Sequence, residues 1–135
     1  MAYKIIDIEG VGDAYAPKLI AAGINTVNDL LKKCAAPAGR KALAKDTGIS
    51  EKLILKWTNH ADLFRIKGVG PQFAELLEAA GVDTVKELRN RVPANLAEKL
   101  ESTNNEKHLV RRVPALVEVE RMVEQAKALD PIMTY

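Results

Sequence analysis

The sequence predicts an internally duplicated, all-α protein, and three observations lead to this prediction. Residues 8–33 align with residues 66–91 at an offset of 58, with twelve identities in 26 positions, which indicates an internal repeat. No segment alternates polar and apolar residues over more than a few positions, and residues 3–8 form the one ambiguous stretch. Helical spacing (i, i+3, i+4, i+7) follows the second glycine pair, at Phe73, Leu76, Leu77 and Ala80.

Capping residues predict where the helices begin and end in each copy. Gly23 and Gly81 follow the first helix of their copy, where a left-handed C-cap is expected. Thr26 and Thr84 each precede an acidic residue by three positions, so both predict a capping box at the start of the second helix. Residues 48–50 and 102–105 are rich in turn-forming residues and predict turns.

Two longer helices are predicted further along the chain. Ser50 has the character of an N-cap, and its helix would direct inward Leu53, Trp57, Ala61 and Phe64. Pro114 suits the first turn of a last helix, which would direct inward Leu116, Val119, Val123 and Ala126. No linker separates the two copies. We therefore predict a single domain over residues 1–135, with a first repeat at 1–63 and a second at 64–135.

Composition and charge exclude several classes of protein. Apolar residues make up 47% of the chain, which rules out a disordered chain, and the net charge is only +2. The single cysteine, Cys34, can form neither an internal disulfide nor a zinc site, and it is expected to be buried. No apolar run reaches the length of a membrane span. We expect a cytoplasmic protein with no membrane partner.

The sequence contains no recognisable catalytic or metal-binding arrangement. Neither a Gly-x-Ser-x-Gly string nor a phosphate-loop lysine is present, and the acidic residues show no catalytic spacing. His60 and His108 are too far apart in the sequence to indicate a metal site. We expect a protein that is not an enzyme and that has no cofactor and no metal.

Two glycine turns carry the most specific signal in the chain. Residues 8–12 and 66–70 both have an apolar residue, one variable position and then Gly-Val-Gly. The glycines allow positive φ, and the central valine is expected to point into the core. Backbone N–H groups after the second glycine begin a helix, so each turn could bind an anion, most naturally a phosphate.

These residues resemble the helix-hairpin-helix family, in which Gly-hydrophobe-Gly is followed by three residues and an alanine, here Ala16 and Ala74. Nearly the whole chain is similar to a small bacterial family of uncharacterised tandem helix-hairpin-helix proteins. The resemblance implies a compact tandem helix-hairpin-helix (SAM-like) domain whose hairpins contact the DNA backbone without reading the sequence. Where DNA-binding members often carry Lys or Arg, two residues after the second glycine, this chain has Ala14 and Gln72.

The second turn is the better phosphate site of the two. Glu9 and Asp13 flank the first turn and would repel a phosphate, so Gly10, Val11 and Gly12 are assigned a structural role. The second turn has basic neighbours and a proline suited to the first helical position. The candidate DNA-binding residues are therefore Arg65, Lys67, Gly68, Val69, Gly70 and Gln72, extended by the basic residues Lys32, Lys33, Arg40, Lys41, Lys45, Arg111 and Arg112.

The sequence thus predicts a sequence-independent DNA-binding module that contacts the phosphate backbone of a duplex. A protein-interaction or scaffold module with the same fold is the main alternative, and the low net charge and the acidic first turn favour it. An accessory fragment of a nuclease or glycosylase is a third possibility. A continuous basic face would favour nucleic acid, and an exposed apolar patch would favour a protein partner.

Overall fold

The computed structural model describes residues 3–135, and across these residues it is helical without a strand. The prediction of an all-α protein is confirmed. Residues 3–8, which were ambiguous, contain a 3₁₀ turn and one isolated antiparallel bridge between Lys4 and Thr26. The elements in chain order are the 3₁₀ turn Ile5–Asp7, α1 (Gly12–Ala21), α2 (Val27–Cys34), α3 (Pro37–Thr47), α4 (Glu51–Leu63), α5 (Pro71–Ala79), α6 (Val85–Arg89), α7 (Pro93–Lys107) and α8 (Leu116–Ala128).

The helices form two compact units. Unit 1 extends to Asp62 and also includes Ile132–Tyr135, whereas unit 2 comprises Leu63–Pro131. The division falls at the end of α4, beside the boundary predicted between the two repeats. The expectation of one domain over the whole chain stays a prediction. No helix of residues 3–135 combines the length and the apolar character that crossing a membrane requires.

Trp57 on α4 is the centre of unit 1. Its side chain is fully buried, as the helical stripe predicted, and its ring lies 5.1 Å from the ring of Tyr15. The Nε1 atom of Trp57 lies 3.6 Å from the position that a Cβ would take at Gly10. The fourth helix of the unit therefore packs directly on the first glycine turn.

In unit 2, α8 packs on α6 and α7, and α5 packs on α7. The core consists of leucine, valine, isoleucine and alanine side chains, with Met122 of α8 among them. The Cε atom of Met122 lies 3.6 Å from the position of a Cβ at Gly68. The last helix of this unit thus packs on the second glycine turn.

Most of the predicted helix ends are confirmed. Gly23 and Gly81 have φ of +89° and +94°. Each closes a Schellman motif, in which the amide of Ile24 or Val82 donates to a carbonyl five residues earlier, at 2.9 and 2.8 Å. Thr26 forms a complete capping box with Asp29. At Thr84 only one of the two capping-box hydrogen bonds is present. The Thr84 hydroxyl accepts from the Glu87 amide, but the Glu87 carboxylate pairs with Arg91.

Four local predictions are wrong. Residues 102–105 lie inside α7, where Thr103 is buried and Ser102 and Asn105 are exposed, so this polar stretch continues a long helix instead of forming a turn. Pro114 precedes α8, which begins at Leu116. The side chain of Leu116 is 47% exposed, whereas Val119, Val123 and Ala126 are buried as expected. In α4, Leu53 is half-buried and the helix ends one residue before Phe64.

Arg40 requires a correction, because its side chain is a structural element of unit 1. It is only 6% exposed. Its Nη1 atom donates to the carbonyls of Cys34 and Ala35 at 2.9 and 3.0 Å, and its Nη2 atom donates to the carbonyl of Thr134 at 2.7 Å. The guanidinium thus satisfies carbonyls at the end of α2 and holds residues 132–135 in the unit. It is not available to a phosphate.

Gly39 marks a close approach of α3 to the end of α2. A Cβ built at Gly39 would lie 1.7 Å from the carbonyl oxygen of Lys33, so no larger residue fits without a shift of the backbone. We expect Gly39→Ala to lower the free energy of unfolding by about 3 kcal/mol or more, at the upper end of overpacking effects. Urea denaturation measures this loss of stability. Ala38→Ser, at the exposed neighbouring residue, is the control. Equal stability of the two variants would contradict this packing.

Arg40→Met tests the structural role of the buried guanidinium. We expect a loss of about 2–3 kcal/mol in the free energy of unfolding, because buried carbonyl groups lose a charged hydrogen-bond partner. The matched variant Lys41→Met, on the exposed neighbour, should change stability by no more than about 0.5 kcal/mol. Thermal and urea denaturation of both variants measure these changes in stability. Similar losses at the two positions would argue against the structural role assigned to Arg40.

Candidate nucleic-acid interface

The two glycine turns share part of their backbone geometry. Gly10 and Gly68 both have a φ of +92°, and Val11 and Val69 are buried as predicted. Gly12 has a φ of +54°, but Gly70 has a φ of −106° and is extended. The prediction of positive φ is therefore wrong at Gly70. The reason is Pro71, because a proline restricts the residue before it to extended conformations.

Three backbone amides at the start of α5 have no partner. Gly70 is the N-cap and Pro71 is the first residue of this nine-residue helix. Within residues 3–135, the amides of Gly70, Gln72 and Phe73 donate no hydrogen bond, and the first paired amide is that of Ala74. Unpaired amides and the positive end of the helix dipole together favour an anion.

The amide of Lys67, also in this turn, is already paired. It donates to the side-chain Oε1 atom of Gln125 on α8 at 2.9 Å. Gln125 was not identifiable from the sequence, because its partner lies 58 residues away and no local pattern links the two. The turn is thereby anchored to α8 on one side.

An open cavity of about 460 Å³ lies beside these amides and is lined by Gly70, Pro71, Gln72, Phe73, Val110 and Arg112. The sequence proposed Arg112 only as an extension of the binding surface, and the structure places it at the turn itself. Val110 and Phe73 were not identified. A cationic side chain and unpaired N–H groups therefore face one cavity, which is the arrangement that a phosphate group requires. We call this cavity the second-turn site.

Glu118 on α8 holds Arg112 in place. The two carboxylate oxygens accept from Nη1 and Nη2 of Arg112 at 2.8 and 3.0 Å, and Oε1 also accepts from the amide of Ala115 at 3.0 Å. The Arg112 hydrogen bonds, followed by that of the Ala115 amide, lower the pKa of Glu118 to about 2. Since a guanidinium has five N–H donors, donors remain on Arg112 for a second anion.

The other candidate residues near the second turn differ in how accessible their side chains are to a ligand. Lys67 and Gln72 have exposed side chains, and Gly68 is exposed as well. Arg65 is half-buried and its Nη2 atom donates to the carbonyl of Asp130 at 2.8 Å. Arg111 is exposed but lines a different cavity, next to α7. Lys67 and Arg112 are therefore the cations on which a test of this site should concentrate.

The remaining basic candidates belong to unit 1. Lys32 and Lys33 lie in the last turn of α2, Lys41 and Lys45 lie on α3, and all four are exposed. Arg40, between them, is buried as described above. The side chains of these four lysines are accessible to an anionic partner.

The first turn carries acidic neighbours. Asp13 is exposed in the first turn of α1, and Glu9 is half-buried before the turn. The carboxylates lie where an anion would approach the start of α1, and they oppose its binding. The packing of Gly10 against Trp57 agrees with a structural role for this turn.

No group of three or more His, Cys, Asp or Glu side chains that could hold a metal ion occurs in the described part of the chain. Cys34 is buried, and burial raises the pKa of its thiol. A protonated thiol is a poor nucleophile, so Cys34 belongs to the core of unit 1.

Comparison with known proteins identifies one family. A family model described as "Domain of unknown function (DUF4332)" matches residues 9–129. No curated protein and no solved structure matches the chain.

The ion pair at the second-turn site predicts a specific pH dependence. Because the pKa of Glu118 in the folded protein is lowered to about 2, the pair contributes to stability at neutral pH, and the contribution is lost as the pH falls from the usual range of a glutamate toward 2. An NMR titration of the Glu118 carboxyl carbon measures this pKa. Arg112→Gln should raise it toward the ordinary value, and an unchanged pKa in that variant would contradict the role of Arg112.

Proposed function

The chain belongs to the family described as a domain of unknown function (DUF4332), and we propose that it is a non-enzymatic, cytoplasmic module that binds DNA independently of sequence. The second-turn site takes a backbone phosphate of the duplex. The amides of Gly70, Gln72 and Phe73 donate to the phosphate oxygens, and Arg112 and Lys67 neutralise its charge. Contacts of this kind involve the backbone only, so they carry no preference for base sequence.

The observation that carries the proposal is the convergence of unpaired donors and a cation on one cavity. Three amides without partners in the described residues and the Arg112 guanidinium border the same space. The bend is open to solvent, since Gly68 and Gln72 are exposed. The nearby carboxylate, Glu118, is already engaged by Arg112 and by the Ala115 amide.

The proposal includes a tandem helix-hairpin-helix architecture with specialised copies. Its support is the sequence repeat, the common φ of Gly10 and Gly68, and the packing of a later helix on each turn, by Trp57 and by Met122. In this view the first hairpin is structural, because carboxylates flank it. The second hairpin binds, because Arg112 lines the cavity beside the unpaired amides at the start of α5.

Binding should be weak and sensitive to salt. The net charge of +2 provides little long-range attraction. If the second-turn site and the lysines of unit 1 neutralise about three to five phosphates, the slope of log K against log salt should be about −3 to −4. Affinities of this kind are typical of nonspecific backbone binding.

A protein-interaction or scaffold module remains the second candidate, and one observation favours it. Leu116 and Val117 are consecutive large apolar residues that are 47% and 50% exposed. Exposed apolar surface of this kind is a feature of protein-binding surfaces. DNA titration separates the candidates, because a scaffold module would show no binding at low salt.

Titration of a labelled duplex by fluorescence anisotropy, between about 50 and 200 mM salt, tests the proposed function. We expect Lys67→Glu to weaken binding about tenfold and to reduce the salt slope by about 1, because one phosphate contact is lost. Arg112→Gln should weaken binding in the same direction.

Lys107→Glu, an exposed charge reversal at the end of α7, is the matched control and should have a smaller effect. Absence of salt-dependent binding by the unaltered protein would refute the DNA-binding proposal. An equal loss in the control and in Lys67→Glu would refute the assignment to the second-turn site.

A further inference from the structure

A second cavity of unit 2, of about 680 Å³, lies between α7 and the segment that leads into α8. It is distinct from the second-turn site. One side is formed by α7 and the other by the chain before and at the start of α8. The residues that matter for its chemistry are Ala97, Glu98, Glu101, Arg111, Val113 and Leu116. We call it the α7 groove.

Leu116 gives the groove an apolar anchor point. Helical spacing predicted this side chain to be inward, but it is 47% exposed and lines the groove, while Val119 and Val123 fill the core. Ala97 and Val113 are half-buried and line the same space. The core of unit 2 therefore does not use Leu116, and an apolar side chain of a partner would remove it from water.

The α7 groove is electrostatically suited to a cationic partner. Glu98 and Glu101 are exposed and form no ion pair within residues 3–135, although other glutamates of unit 2, at 87, 118 and 124, do. Arg111 is the one cation in the groove lining. Because the groove is lined by two carboxylates and one guanidinium, its charge disfavours the phosphate backbone of a nucleic acid. The same charge favours lysine or arginine side chains.

Unpaired backbone along the groove favours an extended partner. Residues 111–113 belong to no helix or strand, and their amides donate no hydrogen bond in the described part of the chain. Both flanks are fixed. Asn104 brackets Val110 with two hydrogen bonds of 2.9 Å, and the Ala115 amide donates to Glu118. A short non-helical segment with free donors is thus held beside the groove, which permits main-chain pairing with a peptide.

The spacing of the carboxylates fits an extended peptide. Glu98 and Glu101 are three residues apart on a helix, a rise of about 4.5 Å. Side chains on one face of an extended chain repeat every two residues, at about 6.8 Å. Because lysine side chains are long and flexible, two basic residues on the same face can each reach one carboxylate.

We propose that the α7 groove binds an extended, basic segment of a partner protein, with an apolar residue on Leu116 and with lysine or arginine side chains on Glu98 and Glu101. The main chain of the segment pairs with residues 111–113. This inference does not depend on DNA binding, because it concerns a different cavity, charges of opposite sign and another class of ligand.

The experiment uses a fluorescent peptide that repeats Lys-Ser-Lys-Ser-Leu-Ser, so that two successive lysines and a leucine share one face when it is extended. Binding to the full chain is measured by anisotropy at low salt. Glu101→Lys should weaken binding by about tenfold, because a like charge replaces a salt-bridge partner. Glu106→Lys, the same change on an exposed residue of α7 outside the groove lining, should leave binding within about twofold.

A second pair of variants tests the apolar anchor. Leu116→Ser should weaken binding about fivefold, while Val92→Ser, which removes an exposed apolar side chain elsewhere, should not. All four positions are exposed, so circular dichroism should show unchanged folding. In NMR spectra, the peptide should shift the amide signals of residues 111–113.

The inference is overturned if the peptide does not bind, if a peptide with glutamate in place of lysine binds equally well, or if Glu101→Lys and Glu106→Lys behave alike. Failure of the DNA titration leaves this result unaffected, because none of these variants changes Lys67 or Arg112. The two proposals therefore fail separately.

Discussion

Each unit depends on the packing of one large side chain against a glycine turn. Trp57 lies against Gly10, and Met122 lies against Gly68. Each turn requires glycine because its φ of +92° is a conformation that other residues rarely adopt, and the large side chain lies at ordinary van der Waals distance from it. The buried valine between the glycines then holds the turn against the core. The functions proposed for the two turns require that the backbone of each turn is held in this one conformation.

One of the sequence differences that separate the two turns in chemistry lies directly after the Gly-Val-Gly string. Pro71 follows the second Gly-Val-Gly string, whereas Asp13 follows the first. The proline makes Gly70 extended and supplies no amide of its own, and the residues with unpaired amides at the start of α5 line an open cavity together with Arg112. The aspartate places a negative charge at the equivalent point. A duplicated motif can thus retain one copy for packing and use the other for binding, which is the division of roles in our proposal.

Basic residues that look equivalent in the sequence have different roles in the folded chain. Arg40 is buried and donates to three carbonyls, Arg112 is held by Glu118 beside the second turn, and Arg111 lines the α7 groove. A guanidinium serves each role because it offers five donors in a fixed plane. Only burial and partners distinguish a structural arginine from one that is available to a ligand.

The sequence by itself determined the all-α class, the Schellman ends at Gly23 and Gly81 and the capping box at Thr26, because these features depend on residues within about five positions. Pro71 restricts Gly70 to an extended conformation, and this local effect could also have been predicted from the sequence. The tertiary structure alone decided that Arg40 is buried, that Gln125 pairs with the Lys67 amide and that Leu116 is exposed. Arg40 and Gln125 contact groups 94 and 58 residues away, and the exposure of Leu116 depends on which side chains fill the core. No local sequence pattern indicates such contacts, because they form only once the chain has folded.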